Sequence, residues 1–212
     1  MNLDNQSLKY LYLDFIKLLD DYCWVSGGAI TNLKIGYKPN DLDVCFQNKE
    51  SQEKAYVKAK QLGYHLINAG PNFYKMRDTN GVRPNPEPIG YEDEALPKRT
   101  RPSHLDIIFI SNTPKLTIKK FDFTINQCAI DSDGKFFCVD DFEKHIQDRK
   151  LVISGEHPNK FLPNKARLII KNLNKGFTID RDEIIKWFPD VPPNLNTSED
   201  YIEWLVNYIR TA

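Results

Sequence analysis

Neither sign of charge prevails in this 212-residue sequence: 29 Lys and Arg face 29 Asp and Glu, for a formal net charge of zero. That excludes a protein that coats a polyanion through bulk basicity, so any nucleic-acid contact has to come from a local patch. No apolar run approaches the length of a membrane span. The N-terminus, Met1-Asn2-Leu3-Asp4, lacks a basic segment followed by an apolar one, so no secretory signal is expected and the sequence reads as cytoplasmic. Cysteine is scarce. Cys23, Cys45, Cys128 and Cys138 form no C-x-x-C pair and lie among apolar residues, which reads as reduced, buried thiols rather than a metal or redox site. The four histidines, His65, His104, His145 and His157, show no ligand spacing, so no zinc site is expected. Neither an internal repeat nor a low-complexity tract is present.

Aromatic residues are abundant, with 12 Phe, 10 Tyr and 3 Trp, which argues against wholesale disorder. The chain is long enough to bury a core without disulfides or a structural metal. Leu8, Leu11, Leu18 and Leu19, with Tyr12 and Phe15, recur at helical spacing and predict an amphipathic helix over 7–20. A short strand at Tyr22-Cys23-Trp24-Val25 leads into Ser26-Gly27-Gly28 and a brief helical stretch ending near Leu33. Asp41 to Phe46 reads as a strand, 50–62 as a helix closed by Gly63, and Tyr64–Asn68 and Phe73–Met76 as strands around the Gly70-Pro71-Asn72 turn. Residues 78–103 hold five prolines and little apolar periodicity, the mark of a long loop. Leu105–Ile110 and Lys135–Val139 read as strands, 140–148 as a helix and Leu151–Ile153 as a short strand. Helices are expected over about 163–175, 180–188 and 197–210, the last two joined by a proline-containing linker. Mixed α and β structure comes first and helices last, so the expected division is a domain over 1–155 and a helical segment over 156–212.

The chemistry concentrates in Ser26-Gly27-Gly28 and Asp41-Leu42-Asp43. Aspartates at i and i+2 of a strand share a face. Held together, they repel unless a cation lies between them, and hard oxygen donors suit Mg²⁺. The paired glycines leave backbone that a ligand can approach, and a helix starting there favours a phosphate. A D-x-D on an exposed strand would instead be two solvated acids; apolar Val44, Cys45 and Phe46 argue that this strand is central. Asp106, inside His104-Leu105-Asp106-Ile107-Ile108-Phe109-Ile110, is either a third carboxylate of the same cluster or a strand-end residue exposed at a sheet edge. Between Glu156 and Asp180 there is no acidic residue. Lys160, Arg167, Lys171 and Lys175 fall at helical spacing, giving a phosphate-binding face or a merely solvated one. Lys98, Arg99 and Arg101 add a basic run ahead of Asp106 that would steer a polyanion, or belong to a loop offset by Glu92-Asp93-Glu94.

Trp24-Val25-Ser26-Gly27-Gly28-Ala29-Ile30-Thr31-Asn32-Leu33 followed by Pro39-Asn40-Asp41-Leu42-Asp43 resembles the head domain of class II CCA-adding enzymes and bacterial poly(A) polymerases, members of the polymerase-beta-like nucleotidyltransferase superfamily. Phe121-Asp122-Phe123-Thr124-Ile125-Asn126-Gln127-Cys128-Ala129 is similar to that family's R-R-D-F-T-I-N-A-L-A segment. Asp140 to Ile153 resembles its acidic turn, helix and V-I-R strand. Ala166-Arg167 through Gly176-Phe177-Thr178-Ile179-Asp180 resembles its neck helix ending in L-G-F-x-I. The matches run in family order and cover most of 23–180. The sequence also departs from the pattern. The family's V-R-D after the glycines is Ile30-Thr31-Asn32, its R-R is Lys119-Lys120 with Phe121 inserted, and its E-D-x-x-R base-reading motif is not visible in Phe161 to Arg167. The sequence stops soon after the neck-like stretch, so the body and tail domains that grip tRNA are not expected.

The resemblance implies an α+β fold: a nucleotidyltransferase-type mixed sheet with flanking helices, then a short helical neck. It implies two-metal nucleotidyl transfer from an NTP with release of pyrophosphate. Asp41, Asp43 and Asp106 would hold two Mg²⁺ ions. Ser26, Gly27, Gly28, Lys120, Asp122, Asn126, Arg167 and Lys171 would bind the nucleotide. Lys98, Arg99, Arg101, Lys160 and Lys175 are the candidate nucleic-acid contacts. The expected acceptor is an RNA 3′ end, tRNA included. The alternatives are nucleotidylation of a protein or small-molecule hydroxyl, or an inactive nucleotide-binding module of the same fold, which the altered V-R-D and the absent base-reading motif favour.

Overall fold

In a computed structural model, residues 11–39, 41–78, 102–154 and 161–211 are described. The stretch at 78–103 expected to be a loop lies almost wholly outside them, and so do Lys98, Arg99, Arg101 and Lys160. The chain divides into two compact units, one of residues 1–119 with 126–139 and one of 120–125 with 140–212. Residues 140–154, grouped with the head by sequence, therefore cluster with the C-terminal helices.

The first unit is built on a mixed seven-stranded sheet in the order β3-β4-β5-β2-β1-β6-β7. Its strands are β1 (Cys23–Ser26), β2 (Leu42–Phe46), β3 (Tyr64–Gly70), β4 (Phe73–Asp78), β5 (His104–Phe109), β6 (Cys128–Asp131) and β7 (Phe136–Cys138). β2 and β5 run parallel; every other neighbouring pair is antiparallel. On the two parallel strands Leu42, Val44, Cys45, Phe46, Leu105 and Ile107 are buried, as expected of strands covered on both faces. Helices α1 (Leu13–Leu19), α2 (Gly28–Lys34), α3 (Lys49–Gln61) and α4 (Pro114–Ile118) complete the unit. α3 starts where the Asn48 side chain accepts a hydrogen bond from the Glu50 backbone N–H at 2.8 Å. It lays Gln52, Ala55 and Ala59 on the sheet, and the two alanines allow close approach. Gln52 is fully buried, and its Nε2 donates to the carbonyls of Asn72 (3.0 Å) and Ile107 (3.1 Å), tying the helix to the β3–β4 turn and to β5. Sequence periodicity did not reveal α4, one turn begun by Pro114.

In the second unit, α5 (Phe142–Gln147), α6 (Leu162–Leu173), α7 (Arg181–Ile184) and α8 (Ser198–Thr211) accompany the short parallel pair β8 (Lys150–Leu151) and β9 (Thr178–Ile179). Phe123 and Trp187, both fully buried, lie with ring centroids 5.2 Å apart. α8 packs on α6 and is opened by a reciprocal cap: the Thr197 hydroxyl accepts from the Asp200 N–H at 3.1 Å, and the Asp200 carboxylate accepts from the Thr197 N–H at 2.9 Å. The backbone N–H groups of Asn196 and Thr197, both donating to it, hold the Asp200 carboxyl below the usual carboxylate value. Among the described residues no helix is long and apolar enough to cross a membrane. None of the four cysteines is in a disulfide, but Cys138 is exposed, unlike buried Cys23, Cys45 and Cys128. It lies on β7, which ends the sheet on that side and is covered less than the central strands.

Candidate functional site

The register of the sheet sets the site. Asp43 on β2 lies directly opposite Asp106 on parallel β5. Asp43 is also opposite Ser26, the last residue of β1, and Asp106 is opposite Lys75 on β4. Lys75, Asp106, Asp43 and Ser26 thus form one polar row across neighbouring strands. Three of the four were singled out by sequence; Lys75 was not. Its alternation within β4 puts it on the face of Phe73 and Arg77, but only the strand pairing puts it beside Asp106.

Asp106 is the most constrained member. Its side chain is 19% exposed, and the Lys75 ammonium lies 3.2 Å from Oδ2. Its other oxygen, Oδ1, is buried without a hydrogen-bond partner. Burial pushes the Asp106 carboxyl above its ordinary value, opposed by the charge and hydrogen bond of Lys75, with the Asp41 charge adding to the rise. Asp43 is half-buried, whereas Asp41 is exposed and precedes the first residue of β2. The two aspartates of the D-x-D are therefore not both strand residues as expected, because pairing with β5 begins only at Leu42 and pairing with β1 only at Asp43.

Ser26 is buried and runs straight into the glycine pair. Gly27 has φ +70° and ψ −129°, a conformation closed to side-chain-bearing residues, so this glycine is required by the turn. Its N–H donates to the Cys128 carbonyl at 3.0 Å, and its carbonyl receives the N–H groups of Ile30 and Thr31 of α2. Gly28 has no such need: its φ is ordinary, and a Cβ there would meet nothing within 4 Å. The space beside Gly28 is open. Asn126 touches this region from β6's leading end, its Oδ1 accepting a hydrogen bond from the buried Thr31 hydroxyl of α2 at 3.0 Å. The tie to Thr31 was not foreseen.

The carboxylates fit a hard divalent cation by chemistry: oxygen donors abreast on neighbouring strands, one of them buried and unsatisfied. Among the described residues, however, no three His, Cys, Asp or Glu side chains are gathered as they stand around one point, and the ammonium of Lys75 takes one of the Asp106 oxygens.

The second unit carries the remaining candidates. Lys120 is exposed. Asp122 is ion-paired with Lys165 of α6, whose side chain is only 14% exposed, and the Lys165 ammonium lies 4.5 Å from the centroid of the Trp187 ring. Arg167 and Lys171 are exposed on α6, and the Arg167 guanidinium donates to Asn164 Oδ1 at 2.8 Å. Lys175 lies past the end of α6 and its carbonyl accepts from Arg149, so it does not extend the helical basic face. The D-F-T-I-N segment is itself divided, Asp122 in the second unit and Asn126 in the first.

Solved structures similar to this chain are tRNA-processing enzymes. A Thermotoga maritima CCA-adding enzyme complexed with tRNA superposes with a TM-score of 0.59 and 16% identity, over 98% of this chain and 46% of that one. A tRNA-processing enzyme in its apo form gives 0.57 at 14% identity, over 98% and 57%. A tRNA nucleotidyltransferase with a primer tRNA and an incoming ATP analogue gives 0.52 at 16%, over 93% and 50%. The chain spans about half the length of these structures, and at such identities the likeness establishes the fold: an α+β nucleotidyltransferase-like architecture with a mixed sheet. No curated protein sequence matches. The family model that does match is that of Gad2, the Gabija anti-defense 2 family, over residues 3–149. With the CCA-adding enzymes that its motifs resemble the chain shares a fold, and the family to which it belongs is Gabija anti-defense 2.

Proposed function

We propose that the chain is a Mg²⁺-dependent nucleotidyltransferase that moves a nucleoside monophosphate from an NTP to a hydroxyl, most simply an RNA 3′ end such as that of tRNA, and that this transfer is how it acts against a Gabija defence system. The observation that carries the reading is the pairing of Asp43 with Asp106 across β2 and β5, one Asp106 oxygen buried and unsatisfied, beside a glycine turn whose Gly28 faces open space.

In this reading Asp41, Asp43 and Asp106 would hold the divalent ions, which when bound supply charge neutralisation of the triphosphate and acidify the acceptor hydroxyl. The Ser26-Gly27-Gly28 turn presents bare backbone to the triphosphate, so that its oxygens approach without meeting a side chain. By holding those ions, the carboxylates would let the α-phosphate lie in line with the acceptor oxygen. The acceptor oxygen bonds to the α-phosphorus, the bond from that phosphorus to the bridging oxygen breaks, pyrophosphate leaves, and the hydroxyl proton passes to solvent or a carboxylate. Asn126 positions the start of α2 through Thr31. Exposed Arg167 and Lys171 give α6 a basic face suited to an RNA backbone.

The test is pyrophosphate release with each of the four NTPs and Mg²⁺, with and without bulk tRNA, in the wild type and in Asp43→Asn. Release that needs tRNA and disappears in the variant supports RNA tailing. Release without tRNA points to a protein or small-molecule hydroxyl. Absence of release together with absence of Mg²⁺-NTP binding leaves a fold without this activity.

A further inference from the structure

We propose that Lys75 is the resident counter-cation of the carboxylate site, and that a divalent ion binds there only by displacing its ammonium from Asp106. The inference rests on the reading of Asp43 and Asp106 as metal-holding residues and adds what governs their occupancy.

Sheet register makes the juxtaposition obligatory. Lys75 and Asp106 are direct cross-strand partners on β4 and β5, and Asp106 is in turn the partner of Asp43. A lysine opposite an aspartate in an antiparallel pair has rotamers that reach it. Here its Nζ lies 3.2 Å from Asp106 Oδ2. Asp106 keeps a second, buried oxygen that has no partner. One ammonium therefore offsets one carboxylate charge of the site and leaves Asp106 Oδ1 unsatisfied.

A divalent ion and an ammonium cannot occupy the same carboxylate without strong mutual repulsion in a half-buried setting. Lys75 has the means to yield. Its side chain is 33% exposed, the flexible four-carbon stem permits many rotamers, and no second hydrogen bond anchors the ammonium among the contacts described. In the free protein the lysine thus offsets part of the repulsion between neighbouring carboxylates, and it sets the threshold concentration at which a divalent ion enters.

The test measures binding of Mn²⁺ alone to the full chain, by the fall in the electron paramagnetic resonance signal of free Mn²⁺ at fixed ionic strength. Wild type, Lys75→Met, Lys75→Gln, Lys75→Arg and Asp106→Asn are compared, each checked for folding by circular dichroism. Lys75→Met and Lys75→Gln are expected to bind Mn²⁺ on the order of tenfold more tightly than wild type, Lys75→Arg to stay within about twofold of wild type because it keeps the competing charge, and Asp106→Asn to lose the site. A lysine that only braced the fold would not tighten metal binding when removed. Wild type binding through Asp106 with Lys75→Met equal or weaker overturns the role of Lys75 and leaves the metal site standing. Binding that appears only in Lys75→Met, and depends on Asp106, supports displacement in its strongest form. No Asp106-dependent binding in any of the proteins overturns both.

Discussion

Gly28→Ala should raise stability and lower activity at once. The first residue of α2 carries an ordinary φ, and an added Cβ meets nothing within 4 Å. The substitution therefore introduces no clash, and it reduces the freedom of the unfolded chain, which stabilises a compatible site by about 0.4–1 kcal/mol. The new methyl group projects into the open space that, in the proposed reading, the triphosphate enters. Displacing the phosphorus by roughly 1 Å from its in-line position costs on the order of a hundredfold in rate. Urea unfolding and pyrophosphate release on the same preparation read the two effects. A Gly28→Ala protein that is at least as stable as wild type but fully active refutes the idea that bare backbone receives the triphosphate. One that is less stable refutes the description of the open space. Gly27→Ala is the contrast: at φ +70° it is strained whatever the space, and it should lose about 1–3 kcal/mol.

Lys165→Met, combined with Asp122→Asn in a double-mutant cycle, should show a coupling of about 1–3 kcal/mol, because the Lys165 ammonium is largely buried between the Asp122 carboxylate and the Trp187 ring; a coupling near zero in urea titrations would mean that the pair holds nothing together. Thr197→Ala should cost about 1 kcal/mol through the lost cap of α8, seen as a lowered urea midpoint with unchanged m. In the native protein a thiol reagent should modify Cys138 fast and Cys23, Cys45 and Cys128 only on unfolding. Burial pushes those three thiols up from 9.0, Cys45 to about 12. The unfolded chain therefore loses these protons first as pH rises above 9. Stability is full below that value and falls above it by about 1.4 kcal/mol per pH unit for each thiol. Equal stability at pH 8 and pH 10.5 would contradict their burial.

What the sequence made visible and what it hid follow from the range of the interactions. Local periodicity and turn residues placed β2, α3, the β3–β4 hairpin and the C-terminal helices, each within a few residues of its observed ends. Asp43 and Asp106 were both legible as carboxylates too costly to leave in apolar strands. That they face each other is a matter of register between strands 58 positions apart at their nearest ends, Phe46 and His104, with the β3–β4 hairpin inserted between them. For the same reason Lys75 was invisible: an alternating lysine reads as a solvated position until its partner strand is known. Asp122 reads as a nucleotide-binding residue because its segment resembles one that binds nucleotide. Its ion pair with Lys165 is made across 43 residues and leaves no local trace. Cys138 was misplaced because apolar neighbours in sequence do not distinguish a central strand from an outermost one such as β7.

The most telling experiment follows the α-phosphate. An NTP labelled at the α-position is incubated with Mg²⁺, total RNA and either the wild type or Asp43→Asn, and RNA, protein and small-molecule product fractions freed of unreacted NTP are counted. Nucleotidyl transfer at the Asp43–Asp106 site predicts label in the RNA fraction with wild type, none from a γ-labelled NTP, and none with the variant. Label in no fraction with any NTP, or equal label with Asp43→Asn, would contradict it.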